Sequence, residues 1–126
     1  MRAAEYGVSV AKMLKAEITV VFVIDLVALD QIAPNRDRDD VENELKRDGE
    51  KYLKYVQGIA QNESIKVSLL LAKGRPYEQI VHLAKGLKMD LIVMGTYGRR
   101  GTERILIGSV AERVIEYATC PVLVLR

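Results

Sequence analysis

Four short apolar runs constrain this chain more than any other feature: ITVVFVID at 18–25, IKVSLLLA at 65–72, DLIVMG at 90–95 and PVLVLR at 121–126. They are almost continuously apolar and rich in valine and isoleucine. An alternating pattern would mark a strand wet on one face. A continuous one marks a strand covered on both. Between the runs the period changes. Ala3, Ala4, Gly7, Val10, Ala11 and Leu14 recur at helical spacing, and so do Val41, Leu45, Tyr52, Val56 and Ile59 within 39–61. Ile80, Val81, Ala84 and Leu87 repeat the pattern after Pro76, which suits a first helical turn, and a last helix is predicted from Ser109 to about Ala118. Strands alternating with helices predict one open parallel sheet with helices on both faces. The polar stretch ALDQIAPNRDRDD, 28–40, is expected to be an exposed loop.

At 126 residues the chain suffices for one domain, 1–126, with one core. Charged residues make up 29% and the net charge is only +2, with acids and bases interspersed. This balance predicts neither nucleic-acid nor membrane partners. No apolar run approaches a bilayer span, and MRAAEYG does not open a signal peptide. Cys120 is the only cysteine and cannot form an internal disulfide, so a cytoplasmic location is expected. Helical periodicity begins almost at residue 1, where an open α/β domain would ordinarily place a strand.

The stretch GTYGRRGTERILIGS, 95–109, carries the chemistry. It links the end of a strand to the start of a helix, and in open parallel sheets ligands bind beyond the strands' carboxyl ends. Gly95 and Gly98 let backbone N–H groups approach a ligand closely. The helix opened by Gly108-Ser109 offers free N–H donors and roughly half a positive charge. Arg99 and Arg100 add cations. These features suit an anion, most naturally a phosphate chain. A plainer reading stands beside this one. Ser109-Val110-Ala111-Glu112 fits the S-x-x-E capping box, in which Ser109 caps its own helix for about 1 kcal/mol, and the glycines permit a surface turn. Neither the Walker pattern nor G-x-G-x-x-G is present.

The spacing Gly95-x2-Gly98-x9-Gly108-Ser109, with DLIVMG before it and GSVAERVIEYATCPVLVLR after it, resembles the nucleotide-binding signature of the universal stress protein family. ITVVFVID is similar to that family's second strand, and GRPYEQIVHLAK to the start of its third helix. The likeness covers essentially the whole chain. It implies a Rossmann-like fold of the adenine nucleotide alpha hydrolase type. The family sheet has five parallel strands ordered 3-2-1-4-5, of which four are legible here. It implies an ATP cofactor with Mg2+, held by Gly95, Gly98, Arg99, Gly108, Ser109 and Val110, with Val23 against adenine. It also implies a homodimer through the C-terminal strand. The absent element would be the central strand and its aspartate loop, so the sequence is expected to be N-terminally truncated or its sheet to have closed up.

Other residues invite bland readings. His82 has no metal partner at ligand spacing, Cys120 has no activating histidine nearby, and Asp90 lies at the wrong end of its strand. Asp25 ends a strand at the ligand end, with either a polar role there or the start of a loop. Tyr52 and Tyr55 are expected to be helix packing or rim residues. Three functions follow: an ATP-binding stress-response sensor that does not turn over, a slow ATPase, and a dimeric interaction module without nucleotide. The second is disfavoured because hydrolysis needs a held metal and a group to orient water, and the glycine stretch supplies no lysine.

Overall fold

The computed structural model describes residues 2–32, 37–95 and 108–126. The element order is α1 (Arg2–Leu14), β1 (Ile18–Asp25), α2 (Leu26–Ile32), α3 (Arg38–Asn62), β2 (Val67–Gly74), α4 (Pro76–Gly86), β3 (Ile92–Gly95), α5 (Ser109–Tyr117) and β4 (Val122–Leu125). The alternation predicted from periodicity is present, and the architecture is α/β with parallel strands and helices on both faces.

The strands form two parallel pairs. β1 runs beside β2 from Ile18 opposite Val67 to Asp25 opposite Gly74. β3 runs beside β4 from Ile92 opposite Val122 to Gly95 opposite Leu125. The expected alternative of a closed-up sheet is not what forms: among the described residues β1 does not bond to β3. The link between the pairs is α1. A Cβ added to its buried Gly7 would lie 3.7 Å from Ile18 Cδ1 on β1 and 3.9 Å from Val93 Cβ on β3.

The main core lies under α1 and α3. Ala4, Val8 and Ala11 of α1 meet Val20 of β1 and Leu53, Val56 and Ala60 of α3, with Ile65 just before β2. A fully buried valine or leucine contributes about 1.5–3 kcal/mol, so this cluster dominates stability. The buried stripe of α1 is rotated from the expected one. Val8 is inside, whereas Leu14, assigned to the core face by spacing, is 64% exposed. Leu14 is the last helical residue, beyond the reach of the sheet. Leu87 is likewise exposed at the end of α4.

Gly49 explains how α3 lies so close to the sheet. A Cβ there would fall 2.5 Å from Phe22 Cδ1 and 3.0 Å from Leu71 Cδ1. Tyr52, one turn on, packs its ring against Phe22 at 6.1 Å. On the other side α4 and α5 touch through Tyr77 and Tyr117, stacked at 5.8 Å, with the Arg113 guanidinium 5.7 Å from the Tyr77 ring.

Three helices stop in the same way. Lys15, Ser64 and Lys88 adopt φ of 52°, 59° and 54°. The next residue's N–H in each case reaches back five positions, from Ala16 to Ala11, Ile65 to Ala60 and Met89 to Ala84, at 2.9 Å. This is the left-handed helix stop usually made with glycine.

The 28–40 region is not a loop throughout. α2 covers 26–32 and buries Leu29 to 2% exposure. Its start is secured by Asp25, whose carboxylate accepts the Ala28 N–H at 2.9 Å. The polar composition of the stretch concealed one apolar contact and one cap, enough to hold two turns of helix against the core. Pro34 and Asn35 lie outside the described residues.

Candidate functional site

Two of the residues that the sequence singles out lie at or near the carboxyl ends of strands. Gly95 is the last residue of β3, and Val23 stands two residues from the end of β1. Gly108 is the N-cap of α5, with extended φ −64° and ψ 158°. Its carbonyl accepts the Glu112 N–H at 3.0 Å, the first bond of the helix. The N–H groups of Ser109, Val110 and Ala111 therefore precede the ladder and remain available to an acceptor. Gly98, Arg99 and Arg100 lie outside the described residues. Val23 belongs to the β1–β2 pair, whereas Gly95, Gly108, Ser109 and Val110 belong to the half built on β3 and β4.

The capping-box expectation is corrected. Ser109 is the first helical residue, not the cap, and no side chain among the described residues caps α5. Gly108 takes the cap position because its extended backbone leads into the helix one residue earlier than S-x-x-E implies. Ser109 is exposed and its hydroxyl is released from capping.

Ladder geometry gives Val23 a polar role that its side chain conceals. The Ile18 N–H donates to the Lys66 carbonyl at 3.0 Å. In a parallel ladder alternate residues serve the same neighbour, so Ile18, Val20, Phe22 and Ile24 address β2. Thr19, Val21 and Val23 direct their N–H and C=O the other way, toward β3. Val23 thus presents a donor and an acceptor side by side near the ligand end.

Sequence reasoning missed Gly74. It closes β2 beside Asp25, with φ +139°, a conformation that disfavours any side chain. An added Cβ would also lie 3.0 Å from Gln79 Nε2. The signal was the G-R-P turn after IKVSLLLA. Next to it, Lys73 Nζ pairs with Glu42 Oε2 at 2.9 Å and ties the end of β2 to α3. His82 and Asp90 are exposed and Asp25 is occupied by its cap. Among the described residues no three His, Cys, Asp or Glu side chains are grouped to hold a metal ion.

The universal stress protein family model matches residues 1–126. The chain belongs to the universal stress protein family. A universal stress protein of Methanocaldococcus jannaschii is 39% identical over 126 residues, covering all of this chain and 74% of the relative. The universal stress protein UspA of Lactobacillus plantarum superposes with a TM-score of 0.84 at 23% identity, over 99% of this chain and 88% of that one. A universal stress protein of Archaeoglobus fulgidus in complex with dAMP superposes with a TM-score of 0.65 at 23% identity, over 99% of this chain and 86% of that one. The parallel strands and covering helices of this universal stress protein are thus those of the family. Among the described residues no helix is long and apolar enough to cross a membrane.

Proposed function

We propose that this universal stress protein binds an adenine nucleotide, with Mg·ATP as the ligand, and acts in the cytoplasm as a sensor or signalling module of the stress response. The observation that carries the reading is the start of α5 after Gly108, where no described side chain caps the helix. Three free N–H groups there suit phosphate oxygens, and the released Ser109 hydroxyl adds a fourth donor. Gly95 and Gly98 would admit the ribose and phosphates, Arg99 would add charge, and Val110 would line the helix start. The Val23 N–H matches adenine N1 and its C=O matches the N6 amino group. Guanine reverses both polarities, which leaves the same groups unpaired. A universal stress protein of Archaeoglobus fulgidus with this fold is in complex with dAMP, which supports an adenine nucleotide as the ligand.

The reading includes binding without appreciable turnover, because the glycine stretch 95–109 carries no lysine to cradle the transferred phosphate. Calorimetric titration of the 126-residue chain with Mg·ATP is expected to give saturable one-to-one heat, at least tenfold tighter than Mg·GTP. Folded protein that yields no heat would overturn the reading and favour the interaction module instead. Steady phosphate release in the same sample would favour the slow ATPase.

A homodimer through β4 belongs to the same proposal. Among the described residues β4 has one neighbour, β3, and Leu123 is 37% exposed on the face it shares with Val93. An edge strand bordered by apolar surface favours a symmetric partner. Leu123→Glu should shift the sedimentation of a dimer to that of a monomer. An unchanged profile removes this interface.

A further inference from the structure

We propose that the groove between α4 and α5 is a docking surface for an acidic peptide segment of a partner protein, anchored by one aromatic side chain. Docking there requires no bound nucleotide. The groove has a volume of about 450 Å³ and is lined by Tyr77, Glu78, Val81, His82 and Lys85 of α4 and by Tyr117 of α5. Residues four apart share a helix face, so Tyr77, Val81 and Lys85 form one row and Glu78 and His82 the next. Tyr77 is stacked on Tyr117 at 5.8 Å, and the Arg113 guanidinium lies 5.7 Å from the Tyr77 ring centre. The stack holds the Tyr117 ring in place, yet Tyr117 is still 49% exposed. A tyrosine fixed before binding loses little freedom on binding, and tyrosine and arginine are the residue types that most often anchor protein interfaces.

The charges select the occupant. Glu78, the carboxylate in the lining, is already engaged: Arg75 Nε lies 4.0 Å from its Oε1, and the Tyr77 hydroxyl donates to the same oxygen at 3.3 Å. Lys85 also lines the groove and joins no ion pair among the described residues. Lys88, three residues on, is exposed as well. The groove therefore offers an aromatic platform at Tyr77 and Tyr117 and an unmatched cation at Lys85. Tyr77 and Lys85 are two helical turns apart, roughly 12 Å. An extended chain covers that span in about four residues at roughly 3.3 Å each. The complement is a segment with an aromatic ring at one end and a carboxylate about three residues away. A nucleic acid is the wrong occupant. Its bases could stack, but its phosphates would run beside the exposed Glu112 and Glu116 of α5, whose charges repel them.

The test uses the 126-residue chain and a capped, fluorescein-labelled six-residue peptide in which one phenylalanine is followed three residues later by two glutamates. The expected result is saturable one-to-one binding, with or without Mg·ATP. It should shift the NMR signals of Val81 and Tyr117 and leave those of Val20 in place. Alanine for the phenylalanine should weaken binding at least tenfold, and glutamines for the glutamates at least threefold. Lys85→Glu, a change at an exposed position, should reverse the preference toward a peptide with lysines in place of the glutamates. Equal affinity for the phenylalanine, alanine and glutamine peptides would mean simple adhesion and would overturn the proposal. So would absence of binding, tighter binding of a uridine hexanucleotide, or a Lys85→Glu variant that still prefers the acidic peptide. Self-association that Tyr117→Ala abolishes would give the groove to a second copy of the chain and overturn it equally.

Discussion

The two strand pairs of this molecule are built for different work. β1 and β2 run eight residues each under the 25-residue helix α3, and nearly all of the main core lies around them. β3 and β4 run four residues each, and α5 has nine. Ala111 and Val114 are the buried residues of α5, while Ile115 and Tyr117 are about half exposed. Yet the short half carries the glycines, the uncapped helix start and the edge strand. Stability is concentrated where contact is extensive, and ligand chemistry where the backbone is left unspent. Sites and moving elements are generally drawn from the less protected parts of a fold.

The sharpest way to break this contrast is to remove one large side chain from each half. Leu53→Ala, at a position 4% exposed, should cost about 2–5 kcal/mol in denaturant unfolding. Ile115→Ala, at 46% exposed, should stay within about 0.5 kcal/mol. Similar losses at the two sites would mean that the halves share one core.

Next is the close approach of α3. Gly49→Ala would gain about 1 kcal/mol of helix propensity. The clash with Phe22 should outweigh that gain and leave a net loss of about 1–2 kcal/mol. The pair Gly49→Ala with Phe22→Leu should recover part of it. A stabilised single variant would show that α3 can lift from the sheet at no cost.

A smaller effect separates the roles of Ser109. A capping serine would cost about 1 kcal/mol on change to alanine. Because Gly108 holds the cap position, Ser109→Ala should leave thermal stability within about 0.5 kcal/mol. Under the nucleotide reading the same variant should weaken Mg·ATP about fivefold, the equivalent of one hydrogen bond of about 1 kcal/mol. Loss of stability without loss of affinity would restore the serine to a structural role.

The smallest effect tests the packing of the long half by pH. Burial first, and Tyr55 second, push the Tyr52 phenol above its ordinary 10.0. A raised folded value favours the neutral form. Its stabilising contribution is complete below pH 10 and is lost as pH rises from the unfolded value through the folded one. Absorbance titration at the phenolate band should show one late-ionising tyrosine that disappears in Tyr52→Phe. If all tyrosines ionise together in the wild-type chain, Tyr52 is not held in the core.

Much of the fold was legible because its signals are local. Continuous apolar runs gave every strand, and helical spacing located α1, α3, α4 and α5. α2 was obscured by the charges around it, since its one anchor, Leu29, is isolated in a polar stretch. The stops at Lys15, Ser64 and Lys88 carried no glycine to announce them. Gly49 read as an ordinary weak point in a helix, because nothing near it in sequence indicates Phe22. At the site, Gly95 closes β3 and Gly108 precedes α5, the strand-to-helix junction that the glycine spacing indicated. The polar contribution of Val23 was invisible, since it depends on which neighbour the strand's alternate residues serve.

What the sequence determined by itself was the alternation of elements and the placement of glycines at a strand-to-helix turn. Periodicity and backbone freedom are properties of neighbouring residues. The tertiary structure alone decided that the strands form two pairs bridged by Gly7, that Gly108 and not Ser109 begins α5, and that Val23 turns its backbone toward the gap. Each of those depends on which distant segment takes up a hydrogen bond or tolerates a Cβ, and strand pairing and steric approach are settled only when the whole chain is in place.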